Sequence, residues 1–188
     1  MRTESTIELE KLVEILNSTN KKFITIGRFS KEKGHERLIR AFEKLYKTDN
    51  SIYLIIIGGY GKEYEKILQM AQNSICKNHI IVIKYVSNPY SILNRCDYFI
   101  LPSFYEGFGL VLAEADILGK PVVSTKIVGP TNFMLENGGT LVENSDEGVY
   151  NGLELLYENK VKPMNIDFEK YNRQAIAEFE NLLEDGNK

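Results

Sequence analysis

The chain has 188 residues, of which 43% are hydrophobic, and a formal net charge of -3 at neutral pH. This length supports one α/β domain with its core, but not two. The negative charge offers no basic surface for nucleic acid, and no apolar run approaches a membrane span. We therefore expect no nucleic-acid partner, no direct membrane contact from this domain and, because the N-terminus does not resemble a signal peptide, a cytoplasmic location.

The sequence alternates apolar strands with helices. Apolar residues at Leu9, Leu12, Val13 and Leu16 follow the helical period and predict a first helix at about 6–18. Strands are predicted at 23–27, 52–58, 80–84, 97–101, 121–124 and 139–142. Further helices are predicted at about 34–47, 61–76, 88–95, 109–118, 131–136, 146–158 and 167–184. Near-continuous apolar strands are typical of a sheet covered on both faces, so we predict a doubly wound parallel, Rossmann-like α/β fold.

The chain contains no motif that indicates a metal or redox site. Two cysteines, Cys76 and Cys96, are too few for a disulfide framework, and we expect free thiols. His35 and His79 lie at the start of a predicted helix and strand, where we expect surface or capping roles. No Asp-x-Asp motif occurs, and the acids at 167–169 suit the first turn of the last helix. We predict neither metal nor cofactor.

Two glutamates lie eight positions apart around a glycine turn, between a predicted strand and a predicted helix. Glu106 falls in the turn and Glu114 about one turn into the helix, so both can face one ligand at the carboxyl edge of the sheet. Gly107 and Gly109 permit close backbone approach and leave the first helical N–H groups free for an anion. These residues alone also fit a glycine-rich turn with two solvated acids.

Two cations follow the first predicted strand. Arg28 comes directly after Gly27, and Lys33 precedes the next predicted helix. A guanidinium and an ammonium on one short loop can converge on a diphosphate. A charged surface loop is the alternative.

A second glycine cluster, at residues 58–61, suggests a dinucleotide site, but its spacing does not fit. A G-x-G-x-x-G fingerprint beginning at Gly59 would need glycine at Tyr64. Lys84 and Tyr85 stand where the ribose-binding acid is expected. We therefore predict a tight turn here.

The segment 102–109 (PSFYEGFG), together with Glu114, resembles the E-x7-E signature of retaining GT-B glycosyltransferases of family four. Four further segments resemble that family's other motifs, in family order. They are 23–34 (FITIGRFSKEKG), 53–59 (YLIIIGG), 119–123 (GKPVV) and 138–142 (GGTLV). The match covers about residues 23–160, and its several ordered motifs make it specific.

The resemblance implies that residues 1–188 form one nucleotide-sugar-binding domain, the C-terminal half of a GT-B enzyme. The acceptor-binding domain is then absent from this chain and is supplied by a missing N-terminal domain or a partner chain. The implied activity is retaining transfer of a sugar from a nucleotide-sugar to an acceptor, with the isolated domain inactive. Any contact with the inner face of the membrane would come through the missing domain.

The resemblance also implies roles for individual residues. Arg28 and Lys33 bind the diphosphate as it leaves, Glu106 holds the donor sugar, and Glu114 accepts hydrogen bonds from the ribose. The other implied donor-binding positions are Gly27, Lys84, Tyr85, Val86, Gly107, Phe108, Gly109 and Leu110. The implied catalytic set is Glu106, Arg28 and Lys33.

Two positions depart from the family pattern. Lys84 stands where glycine is usual, beside the implied base, and Asn132 stands near a position where glutamate is commoner. These departures affect selectivity more than reaction class. A nucleotide-sugar epimerase or a phosphorylase would share the fold, but neither normally carries the PSFYEGFG arrangement. A non-catalytic binding or stabilising subunit of a split transferase remains an alternative.

Overall fold

The computed structural model describes residues 4–107, 109–164, 166 and 169. Within them lie six strands, β1 (Lys22–Ile26), β2 (Tyr53–Ile57), β3 (Ile80–Ile83), β4 (Tyr98–Leu101), β5 (Val122–Thr125) and β6 (Thr140–Val142). The α-helices in the same residues are α1 (Glu4–Asn17), α2 (His35–Tyr46), α3 (Tyr64–Asn73), α4 (Pro89–Leu93), α5 (Leu110–Ile117), α6 (Pro130–Glu136) and α7 (Asp146–Tyr157). Single 3-10 turns occupy Lys31–Lys33 and Lys77–His79.

All six predicted strands are confirmed, with small shifts at their ends. The helix predicted at 61–76 spans only Tyr64–Asn73. At its start, Gly61 has a φ of 138° and the N–H of Glu63 donates to the carbonyl of Phe29; at its end, Ser74 has an extended backbone. The predicted final helix, 167–184, lies outside the described residues except for Glu169. No helix in the described part of the chain is long and apolar enough to cross a membrane.

The six strands form one parallel sheet in the order β3-β2-β1-β4-β5-β6. This arrangement confirms the predicted doubly wound α/β fold. The strand order reverses between β1 and β4, and ligands of such sheets bind in the crevice at the carboxyl ends of the strands at this point.

Successive residues of each strand pack on opposite faces of the sheet. In β1, Phe23 belongs to the core beneath α2, α3 and α7, whereas Ile24 belongs to the core beneath α1, α4, α5 and α6. The same alternation separates Ile56 from Ile57 in β2. Because both faces are covered, the central strands are apolar throughout rather than alternately polar.

Gly34 marks the closest backbone approach between the loops that follow β1 and β4. Its φ is 69°, and a Cβ atom there would lie 1.9 Å from the carbonyl oxygen of Pro102. Only glycine allows the start of α2 to lie against the end of β4 in this way. Gly119, after α5, has a similar φ of 67°, but a Cβ atom there would have no neighbouring atom within 4 Å.

We therefore expect Gly34→Ala to destabilise the chain more than Gly119→Ala. The control substitution should cost about 1–2 kcal/mol for the left-handed backbone conformation alone. The substitution at Gly34 should cost about 1–3 kcal/mol more, because the methyl group must displace backbone. Urea unfolding of the two variants measures the difference, and equal costs would contradict the close approach.

Candidate functional site

The loops that follow β1 and β4 meet at the point where the strand order reverses. The N–H of Phe104 donates to the carbonyl of Glu32 at 2.7 Å, which ties one loop to the other. The following helices diverge, because α2 packs on one face of the sheet and α5 on the other. This is the place at the carboxyl edge where a sheet of this topology has its ligand crevice, and the two loops would form its walls.

Lys33 and Glu106 meet across this crevice. The Nζ of Lys33 lies 2.5 Å from Oε1 of Glu106, and the hydroxyl of Ser103 donates to the same oxygen at 2.9 Å. The side chains of Lys33 and Glu106 are only 14% and 9% exposed. The structure thus joins two residues predicted from separate motifs, and it holds an ammonium and a carboxylate in a largely desolvated position.

Arg28 contacts a different set of residues. Its Nη2 lies 3.3 Å from Oε1 of Glu32, and its guanidinium carbon lies 6.0 Å from the ring centre of Tyr60. The hydroxyl of Ser30 donates to the same Glu32 oxygen, and this bond, helped by Arg28, lowers the pKa of Glu32. Because the Arg28 side chain is 52% exposed, the ion pair contributes little and reorientation costs little.

The second glutamate lies on the helix that the sequence predicts. α5 begins at Leu110, after Gly109 with a φ of 66°, and Glu114 lies one turn further, half-buried. Burial, followed by the charge of Glu114 and a hydrogen bond to it, raises the pKa of Tyr90. Phe108 lies outside the described residues. The two glutamates therefore flank the N-terminus of α5, as predicted.

Neighbouring segments pack against these two loops at the edge of the sheet. A Cβ atom on Gly129 would lie 1.9 Å from the carbonyl oxygen of Gly107, so the loop after β5 closes onto the glycine turn. The Gly27 N–H donates to the carbonyl of Ile57, and the stem of Lys33 packs over Gly27. Asn132 is exposed on α6.

The predicted base-side residues follow β3 and differ in exposure. The Nζ of Lys84 lies 4.6 Å from the ring centre of Tyr64, on α3. Tyr85 is exposed, whereas Val86 packs against the core beneath α4 and α5. Lys84 is exposed as well, so Tyr85 is the one of these three that presents a free aromatic ring at this edge.

Sequence reasoning missed Arg37, which is 1% exposed on α2. Its guanidinium donates to the carbonyls of Pro102 at 2.7 Å and Ser103 at 2.6 Å, and to Oδ1 of Asn144 at 2.8 Å. It also lies 3.7 Å from the ring centre of Phe104. Burial lowers the pKa of Arg37 to about 10. Arg37 is spaced at helical intervals from the buried residues of α2, and this spacing could have indicated that Arg37 is buried.

The expectation of a surface or capping role for His35 is wrong. His35 is 2% exposed, packs against Phe29 with a ring-centre distance of 5.4 Å, and has no hydrogen-bond partner at either ring nitrogen among the described residues. The first turn of α2 is buried because Gly34 brings it against the end of β4. Burial, followed by the charge of Lys33, lowers the pKa of His35 to about 4.

The remaining titratable candidates do not form a metal centre in the part of the chain that the structure describes. No three His, Cys, Asp or Glu side chains converge there as metal ligands would. The absence of a metal and of a cofactor stays a prediction. Cys76 and Cys96 are free and buried, as expected, and burial raises the pKa of Cys96 to about 12.

Comparison with known proteins identifies the family. The family model described as glycosyl transferases group 1 matches residues 7–175. The chain belongs to this family. One relative is the capsular polysaccharide biosynthesis glycosyltransferase CapM of Staphylococcus aureus, 33% identical over 127 residues, which are 64% of this chain and 32% of CapM.

A second relative comes from Campylobacter jejuni and is named N-acetylgalactosamine-N,N'-diacetylbacillosaminyl-diphospho-undecaprenol 4-alpha-N-acetylgalactosaminyltransferase. It is 29% identical over 173 residues, which are 86% of this chain and 46% of the relative. The chain thus spans 32% and 46% of the length of these curated relatives.

Solved structures of similar proteins share the fold. The structure of TarM is 29% identical, with a TM-score of 0.66, over 74% of this chain and 28% of TarM. A variant of S. aureus TarM, solved in complex with UDP among other ligands, is 28% identical with a TM-score of 0.63 over 71% of this chain and 28% of that chain. The parallel, Rossmann-like α/β sheet of this chain matches that of these GT-B neighbours.

The buried histidine generates a pH prediction. The unfolded chain takes up a proton near pH 6.5, whereas folded His35 does so only near pH 4. Protonation of His35 therefore favours the unfolded chain. This residue alone should lower the free energy of unfolding by about 2 kcal/mol between pH 7 and pH 5. Urea unfolding of His35→Phe at pH 7 and pH 5 should show a pH-dependent loss of stability that is smaller by this amount. The same pH dependence in both proteins would contradict the assignment.

Proposed function

We propose that this chain is the nucleotide-sugar-binding domain of a retaining glycosyltransferase, which moves a sugar from a nucleoside diphosphate to an acceptor held by another domain. The observation that carries the proposal is the contact of Lys33 with Glu106, two residues 73 positions apart, in the crevice between β1 and β4. Glu114 lies on the helix that begins at the same crevice. Membership of the group 1 family supports the same reaction.

Lys33 is the proposed diphosphate ligand closest to the sugar position. Its ammonium has three donors, and the hydrogen bond to Glu106 uses one of them. The N-terminus of α5, which begins at Leu110, favours an anion at the same place. Arg28 would join them by releasing its exposed pair with Glu32. These cations would stabilise the leaving diphosphate without a metal.

Glu106 and Glu114 would divide the recognition of the donor. The hydrogen bonds from Lys33 and Ser103 to Glu106 both fall on Oε1, so Oε2 is the oxygen available to a sugar hydroxyl. A carboxylate held by an ammonium and a hydroxyl is preorganised for such a bond, which adds specificity. Glu114, one turn into α5, would accept bonds from the ribose hydroxyls.

The edge that carries these residues is also apolar. Large side chains are exposed on the loops or helix starts that follow β2, β3, β4 and β5. They are Tyr60, Tyr85, Tyr90, Phe104, Tyr105, Leu110 and Val128. An apolar rim around a polar site is typical of a surface that another unit covers. It supports an acceptor-binding domain on this edge, in the same protein or in a partner chain.

The direct experiment is a thermal-shift panel of UDP-, GDP-, ADP- and CDP-sugars. At least one should raise the melting temperature, because a ligand that binds only the folded state stabilises it by mass action. The complex of a related TarM variant with UDP makes UDP-sugars the first donors to test. If no nucleotide-sugar stabilises the chain or binds in calorimetric titration, the proposal is wrong.

Removing a phosphate ligand should weaken nucleoside diphosphate binding. We expect Lys33→Ala and Arg28→Ala each to cost about 1.5–3 kcal/mol, as for hydrogen bonds to charged groups. Lys47→Ala, an exposed lysine at the far end of α2, removes the same charge as a control and should leave affinity unchanged. Calorimetric titration decides, and full affinity in a folded Lys33→Ala protein would exclude the diphosphate role.

The two glutamates should separate sugar binding from nucleotide binding. We expect Glu114→Gln to weaken nucleoside diphosphate and nucleotide-sugar alike, because both contain the ribose. Glu106→Gln should remove mainly the additional affinity that the sugar provides, by about tenfold. Glu136→Gln, exposed on α6, is the matched control. Titration of each variant with both ligands measures the division, and equal losses at both glutamates would contradict it.

A further inference from the structure

Arg37 carries a buried charge whose hydrogen bonds, within the described residues, go to neutral acceptors. These acceptors are the carbonyl oxygens of Pro102 and Ser103 and the amide oxygen of Asn144. A buried charge is costly even when it is well bonded, and an apolar side chain of similar size is often at least as stabilising. Arg37 is therefore poorly explained by stability alone.

The bonds of Arg37 end on the segment that supports Glu106. The carbonyl of Ser103 accepts from Arg37 and from the hydroxyl of Thr125, each at 2.6 Å. The hydroxyl of the same Ser103 donates to Oε1 of Glu106 at 2.9 Å. Ser103 thus has its backbone held from one side while its side chain orients the glutamate on the other.

The arrangement of the three Arg37 hydrogen bonds depends on a planar guanidinium. Three nitrogens reach three acceptors in different directions, while the guanidinium carbon lies 3.7 Å from the ring centre of Phe104. An ammonium is a point donor and cannot reproduce the fork or the stacking. Small displacements of Ser103 would move the carboxylate of Glu106, and binding geometry is sensitive to shifts of about 1 Å.

We infer that Arg37 is a positioning residue that acts through Ser103 to orient Glu106 toward the donor sugar. The inference rests on the proposed function and deepens it, because it assigns the sugar part of donor recognition to a residue that does not touch the ligand. The β1 and β4 loops are then one unit, joined by Lys33 and Glu106 on the crevice side and by Arg37 on the α2 side.

The test compares the affinity for a nucleotide-sugar with that for its nucleoside diphosphate. The two ligands are the nucleotide-sugar that raises the melting temperature most in the panel of UDP-, GDP-, ADP- and CDP-sugars, and the nucleoside diphosphate that it contains. We expect Arg37→Met to lower the ratio of the two affinities about tenfold, the effect of one lost hydrogen bond to a charged group. Arg37→Lys should lower it less. A purely structural role would reduce both affinities together and leave the ratio unchanged.

Arg40→Met supplies the matched control. Arg40 lies on the same helix, is exposed, and pairs with Asp146 and Glu36, so the same change there should leave the ratio unaltered. Ser103→Ala removes only the intermediate hydroxyl and tests the route without a buried charge. Ser103→Ala should lower the affinity ratio as Arg37→Met does. In the double variant of Arg37→Lys and Ser103→Ala, the ratio should fall by less than the combined effects of the two single substitutions.

The outcomes separate the inference from the proposed function. If the unaltered chain binds no nucleotide, the proposed function is wrong, and the role of Arg37 falls with it. If the unaltered chain binds, but the ratio is unchanged in folded Arg37→Lys and Ser103→Ala proteins, the positioning role alone is wrong. Should Arg37→Met not fold, these two variants decide the question.

Discussion

The reversal of strand order between β1 and β4 is the constraint on which the site depends. All six strands are parallel, so the loops that follow β1 and β4 lie side by side at one edge. The helices after them, α2 and α5, pack on opposite faces, so the chain diverges beyond the two loops. The topology therefore puts a ligand crevice at these loops, where Lys33 and Glu106 meet, and their side chains provide its chemistry.

Four largely buried polar side chains lie around this crevice. Lys33, Glu106, Arg37 and His35 all lie on the two loops or on the first turn of α2, and each is largely removed from water. Buried charge seldom adds stability compared with apolar packing. Their presence at one edge, above two well-packed apolar cores, is what a preorganised binding site requires.

The family places this chain among glycosyltransferases whose names refer to different glycans. Because the chain spans 32% and 46% of the length of the two curated relatives described above, it is compared with only part of each. It shares its fold with TarM over 74% of this chain and 28% of TarM. We propose that this part serves the donor, and that the apolar rim faces the part that selects the acceptor.

Much of the fold could be read from the sequence, because local periodicity reports it. Apolar runs such as residues 52–57 predicted buried parallel strands, and the glycine turn placed Glu106 before α5 and Glu114 within it. The helix predicted at 61–76 was too long at its start, where the N–H of Glu63 is bonded to Phe29, a partner distant in sequence. Errors of this kind arise where a tertiary contact replaces the local pattern.

By itself, the sequence determined the elements, their order and the chemical character of the candidate site. Only the tertiary structure decided that Lys33 contacts Glu106, that Arg28 contacts Glu32 and Tyr60, and that His35 and Arg37 are buried. The physical reason is that periodicity reports which face of an element is covered. The partner of a charged side chain depends instead on strand order and on the close approach of Gly34 to Pro102, which bring distant loops together.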